Sequence, residues 1–403
     1  MMLQEERPEK GMMRTKDLPE DLIVEILLRM RVKPLVRFRC VSKRWLSLIS
    51  SGHFAKSHLK LASEQTQRLL LSTDLGLRTL DIDAPFGDGD AVRELDFPFK
   101  QTGFRVNILA SCNGLVCMSV FDDKDFYIWN PLTGDHRRLP YPGFSTDCEC
   151  IWSHGFGYDS LTDDYKLLLM ADRPGVPIPE CLVFSLKRNC WKRIQDPVNP
   201  DGLDESAGIL SNGALHWSVE YLQLELKISA FDLAEEKFHE MPKPRKYDAE
   251  SNKELYLDSL DNIGGRLCFV CRRRTHVELV VMMEYGVLES WATLFRVERF
   301  PAMPAYFMRP LCFSRSNELV AEYYCTEFHF KSSVSWSKQC GMGRALMRIN
   351  PEGEISEGFM FYSKQFRCEP AVKWKLEPEA FVFVESSLSP NGYHADVGQT
   401  PSQ

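Results

Sequence analysis

Cysteine and histidine residues at short spacing are the side chains of this sequence with the clearest capacity for metal chemistry. Cys268 and Cys271 form its one C-x-x-C pair, a spacing that zinc sites use. The pair lies in a predicted strand, where residues three apart point to opposite faces, and no second pair stands nearby. Cys148, Cys150 and His154 offer three ligands in a predicted loop, one short of a tetrahedral site. Neither group predicts a metal site, and we expect no cofactor.

Acid–base and nucleotide-binding motifs are equally incomplete. Asp163 and Asp164 form an adjacent carboxylate pair, but adjacent residues on a hairpin rarely converge on one substrate bond. The G-F-G at 155–157 lacks the third glycine and the following helix of a dinucleotide-binding fingerprint. Tryptophans recur near predicted strand ends, where most should be core and one or two should line a recognition face. They are Trp129, Trp152, Trp191, Trp217 and Trp291. No residue set amounts to a catalytic constellation, so we expect no enzymatic activity.

Composition narrows the class of protein further. The chain has 403 residues, 44% of them hydrophobic and 26% charged, as in ordinary globular proteins. A net charge of −7 argues against nucleic acid as the main ligand, because phosphate binding needs a basic face, and the only three-residue basic run is 272–274. The N-terminus lacks the apolar core of a signal peptide, and no apolar run approaches the ~20 residues of a membrane span. Thirteen scattered cysteines fit a reducing compartment, which indicates a cytosolic or nuclear protein.

The element that must position a binding surface is a helix that is too apolar for one core. After an expected disordered leader at 1–15, Pro19, Glu20 and Asp21 mark a helix start. Seven of the nine residues at 22–30 are apolar. They sweep roughly 240° of the helix surface, whereas packing on one core needs a stripe only a little over ~100° wide. Two or three of these side chains are therefore surplus, and a partner or the larger domain that follows must cover them.

Three further helical segments follow within a short distance. Ser42 is placed to cap one of them, whose buried side would carry Trp45, Leu46 and Ile49. Gly52 breaks the chain before the last segment. A module of about 45 residues is near the limit below which a chain seldom folds without help. The module therefore needs support from its surroundings.

Two motifs in this stretch carry a resemblance. L-P-E-D-L-x-x-E-I-L at 18–27 and L-V-R-F-R-C-V-S-K-R-W at 35–45 resemble the F-box motif over nearly its whole length. The resemblance implies that the module, expected at 16–62, docks a Skp-type adaptor and so joins a cullin-scaffolded ubiquitin ligase. Carried over by position, the adaptor-binding residues are Leu18, Pro19, Leu22, Ile23, Ile26, Leu27, Leu35, Val36, Val41 and Trp45. The adaptor would cover the second face of the helix.

From about residue 67 onward, short apolar runs are punctuated by Gly, Asn, Asp and Pro, which is typical of an all-β domain. The runs recur as units of a small-residue turn followed by three or four strands. Their anchor residues are 55, 47, 52 and 66 residues apart, namely Trp129, Phe184, Phe231, Met283 and Ile349. This spacing predicts a β-propeller of about six four-stranded blades. A last strand near 381–385 would close the ring by pairing with the first unit.

A second resemblance covers this β region. S-C-N-G-L at 111–115, I-W-N-P-L-T-G at 128–134, G-F-G-Y-D-S-L-T-D-D-Y-K at 155–166 and V-E-S-S-L-S-P at 384–390 resemble the F-box-associated domain of plant F-box proteins, which is related in layout to kelch propellers. The resemblance implies separate α and β domains: a small helical F-box module, then a propeller at 68–390 and a disordered tail at 391–403.

Together these features predict an interaction protein, the substrate-recognition subunit of a ubiquitin ligase, which binds its target through the propeller. The target and its binding residues are not assigned, except that Trp336 lies in an expected binding loop at 328–344. Two alternatives stay open. One is a propeller enzyme, such as a glycosidase or sugar oxidase, with a structural helical cap. The other is an F-box protein that acts without ubiquitin transfer.

Overall fold

Four helices open the part of the chain that the structure describes. α1 covers Glu20–Leu28, α2 Val32–Phe38, α3 Lys43–Ile49 and α4 Gly52–Ala62. Ser42 is the N-cap of α3, as expected, and its Oγ accepts a hydrogen bond from Trp45 N at 3.1 Å. Pro19 lies one residue before α1 instead of within it. We call these four helices the head.

The structure, a computed structural model, describes most of the chain, with gaps between the described ranges. These ranges are 19–62, 67–73, 76–86, 91–97, 106–120, 125–144, 151–173, 176–194, 207–221, 225–244, 256–273, 276–298, 307–331, 336–364 and 380–393. The leader predicted at 1–15, together with Leu18, Cys148 and Cys150, lies outside these ranges. Within these ranges the chain forms four α-helices and 24 β-strands.

Strands β1 to β24 form six sheets of four antiparallel strands, which we call blades I to VI. Blade I consists of β24 (Ala380–Val384), β1 (Gln67–Thr73), β2 (Gly76–Asp81) and β3 (Val92–Glu94); blade II of β4 (Val106–Cys112), β5 (Leu115–Val120), β6 (Asp125–Trp129) and β7 (His136–Arg138); blade III of β8 (Ile151–Asp159), β9 (Asp164–Arg173), β10 (Val176–Ser185) and β11 (Cys190–Arg193). Blade IV consists of β12 (Ile209–Ser211), β13 (Ala214–Tyr221), β14 (Glu225–Asp232) and β15 (Lys237–Met241); blade V of β16 (Tyr256–Ile263), β17 (Arg266–Arg272), β18 (His276–Met282) and β19 (Trp291–Glu298); blade VI of β20 (Phe307–Phe313), β21 (Leu319–Lys331), β22 (Trp336–Ile349) and β23 (Ile355–Lys364).

The blades close into a ring. The innermost strands β24, β4, β8, β12, β16 and β20 lie beside one another in that order, and β20 returns to β24. The last strand pairs with the first, with Phe381 opposite Leu70 and Val384 opposite Gln67. Closure leaves no open edge between the first and last blades. The predicted six-bladed propeller after a helical module is therefore confirmed.

The repeat anchors identify the third strands of the blades, with one error. Trp129, Phe184, Phe231 and Ile349 are fully buried on β6, β10, β14 and β22. The choice of Met283 as an anchor is wrong, because β18 ends one residue earlier: Met282 is buried and Met283 is exposed. The side-chain alternation of a strand makes the anchor sensitive to a shift of one residue.

Side chains on both faces of the blades pack against neighbouring blades, which accounts for several residues singled out in the sequence. Cys268 and Cys271 are fully buried in two different core clusters, as their spacing of three predicts. Trp129 and Trp217 are core residues. Trp191 and Trp291 donate their indole N–H to the carbonyls of Pro140 and Pro242 at 2.8 and 3.2 Å, each joining two adjacent blades. These tryptophans are structural, as expected for most of them; the side chain of Trp152 lies outside the described set.

Two segments differ from their predictions. The expected binding loop at 328–344 lies mainly in the paired strands β21 and β22, with Lys331 opposite Trp336. The basic and serine-rich composition of this segment concealed its strand pairing. At the other end, residues 390–392 form a short 3-10 turn and Tyr393 is buried, so the segment predicted as a tail contributes its first three residues to the fold.

Candidate functional site

The head folds around a small core of its own. Leu27, Leu35, Ile49 and Phe54 are almost completely buried, one from each helix. Phe38 and Trp45 pack edge to face beside them, with ring centroids 5.5 Å apart. This core uses only part of the apolar surface of the head.

Five large apolar residues of the head are exposed; one of them, Leu61 (62%), lies near the end of α4, and the other four lie on α1, on α3 and between α2 and α3. The exposed fractions of these four are 49% for Leu22, 52% for Ile26, 60% for Val41 and 47% for Leu46. We call them the exposed set. The first turns of α1 and α3 are held together by Glu20 and Arg44, whose side chains form an ion pair at 2.7 Å. Two of the seven apolar residues at 22–30 are thus about half exposed, in agreement with the predicted surplus.

The residues carried over from the F-box motif fall into three groups. Pro19, Leu22, Ile26 and Val41 are exposed; Ile23, Val36 and Trp45 are partly buried; Leu27 and Leu35 are buried. Leu27 and Leu35 could meet a partner only if the head opened, so the structure assigns them to its core. The match to the F-box motif placed both among the adaptor-binding residues, but it gave no indication of which apolar face of each helix turns inward.

Leu46 belongs with the exposed residues, although the sequence placed it on the buried side of α3. Trp45 and Ile49 are four residues apart and share one face, whereas Leu46 is rotated by about 100° from Trp45. This rotation was the signal in the sequence that Leu46 lies off the buried face of α3.

The propeller supports the head without covering the exposed set. Ala55 and Leu59 of α4 pack into the core between blades II and III, which includes Ile128 and Phe156. The structure therefore combines two expectations: the head is a cap packed on the larger domain, yet its second apolar face stays uncovered.

An ion pair also fastens α4 to blade III. Lys56 Nζ lies 2.5 and 2.6 Å from the two carboxylate oxygens of Asp163, and the Tyr158 hydroxyl donates to Asp163 Oδ1 at 2.6 Å. Partial burial raises the pKa of Asp163, but the hydrogen bonds from Lys56 and Tyr158 outweigh it and hold the pKa below its usual range. Burial and the Asp163 carboxylate raise the pKa of Tyr158, which keeps it a donor.

The other candidate groups have structural partners. Asp164 points away from Asp163 and accepts hydrogen bonds from Ser185 Oγ and Lys187 N at 2.5 and 2.8 Å, so the two carboxylates do not share a site. The Nε2 atom of His154 lies 3.1 Å from Leu109 O. In the described ranges, no three His, Cys, Asp or Glu side chains are grouped to hold a metal ion, and no helix is long and apolar enough to span a membrane.

A helical head with an exposed apolar set, seated on a closed six-bladed ring, is the arrangement that an F-box module joined to a β-propeller would have. The F-box domain family matches residues 16–57, and the F-box associated beta propeller domain family matches residues 80–297. The chain belongs to the plant F-box proteins that carry an F-box-associated propeller.

Two relatives from Arabidopsis thaliana illustrate the relationship. F-box/kelch-repeat protein At3g23880 is 30% identical over 79% of this chain and 91% of its own length. F-box protein CPR1 is 31% identical over 75% of this chain and 78% of its own length. Both alignments cover three quarters or more of this chain and therefore extend well beyond the head.

Proposed function

We propose that this protein is the substrate-recognition subunit of an SCF-type (Skp–cullin–F-box) E3 ubiquitin ligase. The head docks a Skp-type adaptor, and the propeller captures a target protein for ubiquitination and degradation. The exposed set is the observation that carries the proposal. Burying a side chain such as Leu or Ile fully stabilises by about 1.5–3 kcal/mol. An adaptor that covers these four residues would gain a substantial part of that free energy.

The mechanism requires no bond chemistry by this chain, which acts as a non-catalytic adaptor without metal or cofactor. The cullin scaffold, reached through the Skp-type adaptor, would bring a ubiquitin-charged enzyme close to the bound target. Holding both in one complex raises the local concentration of target lysines and converts a bimolecular encounter into a nearly intramolecular one. We also propose a cytosolic or nuclear location; a fluorescent fusion found in the secretory pathway would contradict it.

Adaptor docking is tested by Ile26→Asp, an exposed position at which the head should stay folded. The charge should reduce co-purification of a Skp-type adaptor at least tenfold, because it would be buried at the interface without a partner. Leu161→Asp is the matched control, since Leu161 is an 85% exposed leucine on the propeller. Unchanged adaptor recovery with Ile26→Asp would overturn the proposed docking surface.

For the target, we propose the propeller face opposite the head. The turn between β8 and β9, at 160–163, contacts α4, so the face of the ring that carries the corresponding turns of the other blades is the face that bears the head; we call it the head face. In blade VI this turn lies between β20 and β21, where Arg315 N donates to Asp83 Oδ1 of blade I. β21 starts on that face and runs away from it. Beyond Tyr324, the last residue paired with β20, the β21–β22 hairpin continues for six further cross-strand pairs up to Lys331 opposite Trp336, or ~23 Å along β21. We call this extension the arm; it includes Trp336.

The arm can be shortened without disturbing the register of the sheet. Phe328 and Gln339 are cross-strand partners, so residues 328–339 can be removed and Glu327 joined to Cys340 through an Asn-Gly turn. Target capture should fall severalfold while adaptor binding is kept, and EDTA should have no effect. Full target capture by this variant would remove the arm from the binding site. Reconstitution with adaptor, cullin and target should then show ubiquitin on the target; binding without transfer would favour an F-box protein that acts outside ubiquitination.

A further inference from the structure

The chain continues beyond the closing strand and crosses the head face of the propeller. Residues 385–393, which we call the strap, run from the end of β24 over blade II to blade III. Asn130 is fully buried, and its Nδ2 donates to Ser386 O at 2.9 Å and Leu388 O at 2.7 Å. Its Oδ1 accepts from Leu132 N at 2.9 Å, which orients the amide. One side chain of blade II thus holds two carbonyls of the strap.

The far end of the strap is held equally specifically. Arg137 Nη1 donates to Pro390 O at 3.3 Å and Tyr393 O at 3.0 Å. Leu388 is buried in the core between blades II and III, and Tyr393 packs edge to face on Tyr165 with ring centroids 5.2 Å apart. The strap is therefore a built part of the propeller.

The other side of the strap faces the head. Lys33 of α2 lies 4.0 Å from Glu385, whose carboxylate also accepts from Arg68 of β1 at 2.8 Å. Arg39, the C-cap of α2, donates to Ser387 O at 3.0 Å. The Lys56 ammonium of α4 lies 5.2 Å from the centre of the Tyr393 ring. Contacts from two helices of the head converge on this one segment.

We propose that the strap couples closure of the propeller ring to docking of the head. The strap is in place only when β24 has paired with β1, because Glu385 follows Val384 directly and pairs with Arg68 of the same strand pair. The strap can therefore hold the head in its orientation only after the ring has closed. Because energetic coupling between two sites is reciprocal, docking of the head must in turn stabilise the closing strand. The inference is independent of adaptor and target.

Asn130→Asp in the full chain tests one direction of this coupling by hydrogen exchange. The carboxylate keeps the acceptor for Leu132 N but loses both donated hydrogen bonds to the strap. Each bond contributes about 1 kcal/mol, which converts to roughly fivefold in an equilibrium constant. Exchange in the strap and in α2 and α4 should therefore accelerate by roughly 5–30-fold, while β13 of blade IV is unchanged. Faster exchange confined to the strap, with α2 and α4 fully protected, would overturn the coupling.

Arg39→Ala tests the reverse direction and stays informative if Asn130→Asp fails to fold. Because this variant lacks the hydrogen bond from Arg39 to Ser387 O, hydrogen exchange in β24, and in its partner β1, should accelerate by roughly fivefold. Arg37→Ala is the matched control, because Arg37 is an exposed arginine of the same helix. Unchanged exchange in β24 with Arg39→Ala, or an equal increase with Arg37→Ala, would contradict the proposal.

Discussion

The propeller and the head bury their apolar residues in different ways. In blade II, every residue of β5 is buried, because the neighbouring blades cover both faces of the sheet. In the head, four residues form a core, whereas Leu22, Ile26, Val41 and Leu46 stay about half exposed. A ring of equivalent blades supplies its own cover, but a module of about 45 residues depends on its surroundings. The incomplete burial of these four residues is therefore the basis of the adaptor-docking surface that we propose.

The largest expected effect lies in the propeller, where Trp129 is completely buried at the end of β6. Trp129→Ala should lower the free energy of unfolding by about 3–5 kcal/mol, because it leaves a cavity that the packed blades cannot refill. Chemical denaturation followed by circular dichroism measures the change. A loss below about 1 kcal/mol would mean that the blades are packed much less tightly around Trp129 than its complete burial indicates.

Two leucines of the head sharpen the comparison within one module. Leu35→Ala should destabilise the head by about 2–5 kcal/mol, since Leu35 is fully buried, and should weaken adaptor binding only through unfolding. Leu46→Ala should change the free energy of unfolding by less than about 0.5 kcal/mol and still weaken adaptor binding. Thermal unfolding and adaptor pull-down on both variants separate the two roles. If Leu46→Ala destabilises the head as much as Leu35→Ala, the division into core and exposed set is wrong.

The sequence predicted the blades better than it predicted the faces of the head. Repeated anchors such as Phe184 and Phe231 report a local periodicity, and each error, as at Met283, stays within one blade. Which face of α1 turns inward depends instead on where α3 and α4 lie, and that information is spread over the module. Leu27 and Ile26 are adjacent and both apolar, yet one is buried and the other exposed.

The strap shows the same limit at longer range. Its V-E-S-S-L-S-P motif contributes to the family resemblance, but its contacts with Asn130 and Arg39 join residues more than 250 positions apart. No local periodicity reports such pairs. The motif alone therefore identified the family, but it did not indicate that the strap lies between the head and the ring.

Two equivalent glycines measure how tightly the strap region is packed. Gly114 and Gly213 both follow an asparagine in the turn after an innermost strand, with φ of +79° and +77°. A Cβ at Gly114 would lie 2.6 Å from Val384 O, whereas one at Gly213 would meet nothing within 4 Å. Both Ala variants incur the cost of a left-handed backbone, about 1–2 kcal/mol. Gly114→Ala should cost about 1–3 kcal/mol more; equal losses in denaturant unfolding would show that the end of β24 moves freely.

The smallest expected effect concerns the ion pair between the two regions. Because the pKa of Asp163 is held below its usual range in the folded protein, the pair stabilises the docked head at pH values above the unfolded pKa of about 3.9. That contribution should be lost as the pH falls through the folded pKa. The side chains of Lys56 and Asp163 are 32% and 47% exposed, so solvent screening limits the contribution to about 0.3–1 kcal/mol.

Asp163→Asn removes the charge while keeping a residue that tolerates the positive φ of this turn. Urea unfolding from pH 6 to pH 3 should show the wild type more stable at pH 6 and the difference shrinking below about pH 4. A difference that stays constant or grows on acidification would show that the charge of the Asp163 carboxylate does not stabilise the attachment of the head.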